Sequence, residues 1–143
     1  MPENVSAAIR RLVRTRAHGR CEYCQTPEAY APEAFSIEHI IPRSRRGSST
    51  AENLALCCQG CNNHKFTRIR GRDPVTELTV ALFHPREHHW HEHFAWMPDA
   101  RRIVGQTAAG RATVEALRLN RPGLVNLREA LIAIRIHPPL RLS

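Results

Sequence analysis

Two cysteine pairs, Cys21-x2-Cys24 and Cys58-x2-Cys61, constrain this chain more than any other feature of its sequence. Each Cys-x2-Cys knuckle turns two sulfurs toward one point without stretching the backbone, so the two together can close a tetrahedral shell around one Zn²⁺. The stretch between them, Gln25 to Cys57, is longer than the usual zinc-ribbon gap and requires a folded unit inside the staple. Cys57 is the odd fifth cysteine, spaced x3 from Cys61; Cys58 is the expected ligand and Cys57 a small buried hydrophobe beside it. A disulfide framework is the alternative reading. The first residues show no charged-then-apolar segment, and an odd number of cysteines suits exported proteins poorly, so metal-bound thiolates in a cytoplasmic protein are expected.

With 143 residues, 42% hydrophobic and 24% charged, the chain has the size and composition of one globular domain, or of a metal-nucleated module with an appendage. No apolar run approaches the length of a membrane-spanning helix, and no membrane partner is expected. The net charge of +8 is unevenly placed: residues 1–72 hold 12 Arg or Lys against 6 acids, the remainder 9 against 7. A basic surplus concentrated on the cysteine module favours a polyanionic partner, because each neutralised phosphate releases counterions.

Ser6 is placed to cap a helix whose apolar positions Ile9, Leu12, Val13 and Ala17 follow helical spacing, and Gly19 to end it. Phe35 to Ile40 alternates as a short strand stopped by Pro42, which would send Glu38 and His39 to opposite faces unless the strand breaks there. Arg43 to Thr50 is a basic, polar loop in which Arg43, Arg45 and Arg46 are candidate nucleic-acid contacts. Leu54 to Leu56 reads as a second strand, and a helix begins at Cys61, bringing Asn62 into its first turn and Lys65 nearby, equally a candidate phosphate contact or a helix-to-loop salt bridge. Beyond Asp73-Pro74, read as a linker, a strand is expected over Arg101 to Val104, with helices over Gly110 to Asn120 and Leu124 to Ile134. The expectation is an α+β protein: an N-terminal helix and zinc-stapled core in residues 1–72, and an α/β extension packed on it in residues 73–143.

Hydrolysis of a phosphodiester needs a base for water, a Lewis acid on the phosphate and stabilisation of the departing oxygen. His39 suits the base, since imidazole keeps an empty acceptor nitrogen near neutral pH. Glu38 and Asn62 offer the oxygen donors a hard ion such as Mg²⁺ or Mn²⁺ prefers, and Mg²⁺ commonly takes only one or two protein ligands. Asn53 can hydrogen-bond the backbone around the His39 loop and orient the ring.

These residues form a pattern. Cys21-x2-Cys24, Ile37-Glu38-His39-Ile40-Ile41-Pro42, Gly47, Asn53-Leu54 and Cys58-x2-Cys61-Asn62-x2-Lys65 resemble the HNH endonucleases, which have a ββα-metal fold. The resemblance covers about residues 15 to 70. It implies His39 as general base, Glu38 and Asn62 as ligands of the catalytic divalent ion, Asn53 as the middle motif residue, zinc on the four cysteines, and DNA as substrate. Two positions depart from the commonest pattern: Glu38 where Asp is usual, and Asn62 where the namesake His stands. Both residues offer an oxygen ligand, Asn62 in place of an imidazole nitrogen. Leu82-Phe83-His84-Pro85-Arg86, Trp90-x2-His93-Phe94-x-Trp96 and Gly110-Arg111-Ala112-Thr113 resemble the C-terminal extension of a bacterial subgroup.

Three functional readings stay open: a DNA endonuclease, a non-catalytic zinc-dependent nucleic-acid-binding module, and an effector acting on RNA. The Glu38, His39 and Asn62 set favours the first. One such site cuts one strand, so duplex scission would call for a homodimer or a second encounter. The histidines from His84 to His93 invite a second metal site, but their irregular spacing and the neighbouring Trp90, Phe94 and Trp96 read better as core anchors. Arg86 is the residue of that segment first expected to meet substrate.

Overall fold

The structure is a computed structural model, and it describes residues 5–140. Helix α1 (Ala7–Arg16) starts where the Ser6 side chain accepts a hydrogen bond from the Ile9 amide at 3.2 Å. It ends where Gly19 takes a φ of +67° and returns its amide to the Arg14 carbonyl at 3.0 Å. Val13 and Ala17 are buried, whereas Leu12, part of the apolar stripe in the sequence, is 48% exposed. The helix packs along a narrow edge on the hairpin that follows.

That hairpin is β1 (Ser36–His39) antiparallel to β2 (Leu54–Cys57), with Ser36 opposite Cys57 and His39 opposite Leu54. Every residue of β2 is buried, which ties the register to the core. Helix α2 (Gln59–Lys65) follows and begins two residues earlier than expected, because Cys58 is itself the N-cap and its sulfur accepts from the Cys61 amide. The order β1, β2, α2 is a ββα unit closed by the two cysteine knuckles.

The segment expected as linker and unassigned stretch is instead a hairpin, β3 (Arg70–Arg72) with β4 (Thr79–Ala81). The first strand reads Arg-Gly-Arg and carries no apolar alternation, and the second, Thr-Val-Ala, is too short to mark itself as a strand. Asp73, fully buried, shapes the connecting turn by accepting from the Val75 amide and the Thr76 hydroxyl. Its carboxylate also takes the Arg111 fork in two bonds of 2.8 Å, and this pairing holds it well below the usual carboxylate range. Helix α3 (Trp90–His93), β5 (Phe94–Trp96) and β6 (Ile103–Gly105) come next, β5 and β6 pairing antiparallel. Helix α4 (Ala108–Leu117) is capped by Thr107 and stopped by Arg118 in the left-handed region, and α5 (Pro122–Ala133) opens on proline. The architecture is α+β, with three small antiparallel hairpins among helices in the described residues.

One apolar cluster runs through both parts of the chain. Val13, Tyr23, Leu54 and Leu56 meet Leu82, Phe83, Phe94, Ile103, Ala112 and Leu117. Trp90 stacks against Phe94 and Trp96 with ring centroids 5.1 and 5.3 Å apart, and its indole N–H donates to the Tyr23 carbonyl at 2.9 Å. The aromatic segment therefore anchors the extension onto the first cysteine knuckle.

His137 fastens the far end of this layer. It is 5% exposed, meets the Trp96 ring edge-on at 4.4 Å, and its Nε2 donates to the Ala100 carbonyl at 2.7 Å. Burial pushes its pKa down. A histidine lowered on folding leaves the unfolded chain holding more protons, so its share of stability is present above the unfolded value of about 6.5 and is lost as pH falls through the folded value. His137→Phe, which keeps a ring against Trp96 but cannot titrate, should lose less stability than the parent between about pH 7.5 and 5.5 in urea unfolding. Equal losses in the two proteins would contradict this.

Candidate active site and metal centre

The four knuckle cysteines converge. Their sulfurs all lie within 4.8 Å of one another, and all four side chains are buried. Cys24 and Cys58 Sγ are 3.7 Å apart, close to the edge of about 3.8 Å that a tetrahedron with Zn–S near 2.3 Å requires. None of the cysteines is in a disulfide, which removes that reading. Burial pushes the Cys21 and Cys24 thiols well up, so four thiolates held here need a cation among them. Cys57 is buried and lies outside the quartet, leaving Cys58 as the member from that dipeptide. The donor set fits zinc.

Strand β1 runs unbroken to His39, so Glu38 and His39 do leave on opposite sides. Both nonetheless line one cleft of about 440 Å³, together with Asn62 from the first turn of α2 and with Arg43, Ser44 and Phe66 at its margin. Glu38 is only 6% exposed. One of its oxygens accepts from the Tyr23 hydroxyl at 2.8 Å; the other sits 2.9 Å from Lys65 Nζ and has no hydrogen bond of good geometry. Burial pushes the Glu38 carboxyl up, while the Lys65 charge and the Tyr23 hydroxyl pull it part of the way back. His39 Nε2 is 2.9 Å from the Ser49 hydroxyl, which fixes the ring plane from the loop between the strands.

Asn53 clamps that loop. Its Oδ1 accepts from the Ile41 amide at 2.8 Å, and its Nδ2 donates to the Ile41 and Ser48 carbonyls at 2.9 and 2.7 Å. Gly47 closes the same corner, where a Cβ would stand 1.7 Å from the Ile41 carbonyl oxygen and 2.8 Å from Asn53 Nδ2. Only a residue without a side chain lets the loop fold back this tightly behind His39.

Residues 21–68 match the family model described as HNH endonuclease. They form an HNH domain. No curated protein and no solved structure matches the chain. The HNH domain spans the zinc-ligand quartet, β1, β2 and α2, so the cleft lies wholly within it. A buried carboxylate oxygen without a hydrogen bond, and an amide from α2 in the same cleft, are hard donors that fit a divalent ion.

Other expectations fare differently. Arg43, Arg45 and Arg46 are exposed, Arg43 lining the HNH cleft and Arg45 being steadied by a bond to the Thr67 carbonyl. Lys65 is not a surface cation and cannot reach a phosphate: it is 1% exposed, and its ammonium spans Glu38 and the Ile40 carbonyl at 2.8 Å. Its position one helical turn after Cys61 turns it inward. Arg86 is likewise withdrawn, paired with Glu22, whose other oxygen accepts from the Leu56 amide. The histidine segment does not gather a metal site, since among the described residues the cysteine quartet is the one group of metal-ligating side chains. His84 and His88 cap local turns through Nδ1, and His93 Nδ1 pairs with Thr107. A larger cavity of about 720 Å³ shares no residue with the cleft. Its Arg16 and Arg20 donate to the backbone carbonyls of Ala51, Leu54, Gln25 and Ile136.

Tyr23 and Ser49 are site residues that the sequence did not flag. Tyr23 fills the x2 of the first knuckle and Ser49 a polar loop, places where residue type alone carries no signal. The Glu38 and Lys65 pair is testable directly. Lys65→Met strands a buried carboxylate and should cost about 3 kcal/mol in urea unfolding at pH 7.5. Added Mg²⁺ should then stabilise this variant more than the parent, because a ligand that binds only the folded state raises its stability. A variant as stable as the parent, or one indifferent to Mg²⁺, would contradict this reading of the pair.

Proposed function

We propose that this protein is an endonuclease that hydrolyses DNA phosphodiester bonds with one divalent ion and with His39 as general base. What supports the reading is the meeting of Glu38, His39 and Asn62 in one cleft whose rim carries Arg43. Glu38 and Asn62 would hold Mg²⁺ or Mn²⁺, which when bound supplies charge neutralisation on the phosphate and the leaving oxygen. Zn²⁺ on Cys21, Cys24, Cys58 and Cys61 fills the structural role.

The chain's own groups do the remaining work. Arg43, Arg45 and Arg46 draw the phosphate backbone toward the cleft and fix its register without reading bases. The unprotonated His39 ring, oriented by Ser49, takes a proton from the attacking water. Asn53 and Gly47 keep the His39 corner rigid, so the imidazole meets the phosphate with little reorganisation. Lys65 lowers the cost of ionising the buried Glu38 and occupies the oxygen that a divalent cation would take over.

One observation favours a second reading. The Lys65 ammonium already neutralises Glu38, as suits a zinc module that binds nucleic acid without cutting it. Plasmid nicking separates the two. Supercoiled DNA incubated with the zinc-loaded protein and Mg²⁺ or Mn²⁺ should be nicked, and His39→Ala should slow nicking by at least about 100-fold while DNA binding survives. Unchanged nicking in His39→Ala would dismiss His39 as the base. Binding without nicking by the parent would leave the non-catalytic module, and faster cleavage of a matched RNA would redirect the substrate.

A further inference from the structure

The two knuckles do not hold their charge alone. Four thiolates around Zn²⁺ leave a net charge of −2 in a place where Cys21, Cys24 and Cys61 are fully buried and Cys58 is 7% exposed. The compensating groups come from the far end of the chain. Arg121, the residue that opens α5, directs Nη2 at Cys58 Sγ and Cys61 Sγ from 3.5 and 3.7 Å and Nη1 at Cys61 Sγ from 3.6 Å. The same Nη1 donates to the Leu117 and Arg118 carbonyls at the end of α4, so the guanidinium is held in place before it meets sulfur. Seven residues on, Arg128 reaches the first knuckle: its Nη2 donates to the Leu119 carbonyl at 2.8 Å and lies 3.5 Å from the Cys24 carbonyl.

The second knuckle is shaped to admit this fork. In Cys58-Gln59-Gly60-Cys61, a Cβ on Gly60 would stand 2.4 Å from Arg121 Nη2, 3.0 Å from Cζ and 3.2 Å from Nε. The absence of a side chain at Gly60 thus leaves the space that the guanidinium occupies beside the cysteine quartet. A planar fork can present two N–H groups to two sulfurs at once; an ammonium at the same place presents a point charge.

We infer that Arg121 is the lock of the zinc centre: its guanidinium, seated in the notch left by Gly60, hydrogen-bonds the Cys58 and Cys61 thiolates and retains the metal. The inference rests on the reading of the quartet as a zinc site and is independent of nuclease activity. Hydrogen bonds to a bound thiolate draw electron density from sulfur and make it a poorer nucleophile toward electrophiles. Cys58 is the quartet's most exposed member, and Arg121 stands beside it, so a chelator or alkylating agent arriving from outside meets the guanidinium first.

Zinc transfer from the full-length protein to the dye 4-(2-pyridylazo)resorcinol tests this. Arg121→Ala should release zinc about 10- to 100-fold faster than the parent, with Arg121→Lys between them. Gly60→Ala, which keeps the arginine but fills its notch, should move in the same direction as Arg121→Ala. Arg118→Gln, an exposed neighbour that lends only its backbone carbonyl, should match the parent. In the cobalt-substituted protein the sulfur-to-metal charge-transfer band should shift in Arg121→Ala and Gly60→Ala, a change that loosened helix packing alone would not produce. Release rates and bands equal to the parent overturn the inference, as does faster release with an unshifted band and a lowered melting temperature. A parent that purifies without zinc and takes none up overturns the metal reading itself, and this inference with it.

Discussion

Four sulfurs brought within 4.8 Å of one another are the constraint on which the rest of this molecule depends. The stretch between the knuckles supplies one hairpin and three single turns, and a hairpin of four-residue strands does not stand alone in water. A cation shared by both knuckles would convert that deficit into a closed unit, because metal binding free energy becomes folding free energy. The consequences run outward from there. Cys58 caps α2, α2 carries Asn62 into the cleft, and β2, every residue buried, sets the register that places Glu38 and His39 at its edge.

The extension answers the same constraint from the other side. Trp90 reaches the Tyr23 carbonyl, Arg86 pairs with Glu22, and Arg121 and Arg128 bring guanidinium groups to the second and first knuckles. Cationic and aromatic side chains that would otherwise be free for a partner are turned inward, onto the metal module. The same economy operates in the cleft, where the Lys65 ammonium bridges Glu38 and the Ile40 carbonyl. The ammonium offsets part of the cost of burying that carboxyl group.

How much of this was legible in the sequence depends on where each signal lived. The knuckle spacing separated Cys58 from Cys57 correctly, and strict alternation along β1 gave the divergence of Glu38 from His39. Asn53 was placed as the brace of the His39 loop, and it makes three hydrogen bonds to that loop's backbone. For Lys65 the sequence leaves a phosphate contact and a salt bridge equally open, because position on a short helix does not tell which face is inward until the partner strand is known; the salt bridge is the one the fold makes. Arg121 lies 60 residues from Cys61 along the chain, beyond the reach of any spacing rule. The β3–β4 hairpin is hard to read because its strands are three residues long and Asp73, which shapes the turn, is held by Arg111, 38 residues away.

The dependence of the whole fold on the cysteine quartet is best measured by combining metal content with backbone hydrogen exchange, before and after chelation. One zinc per chain is expected, and its removal should expose the amides of β1, β2 and α2 to rapid exchange and loosen α4 and α5 with them. A chain that carries no metal, or that keeps the same protection after the metal is stripped, would contradict it.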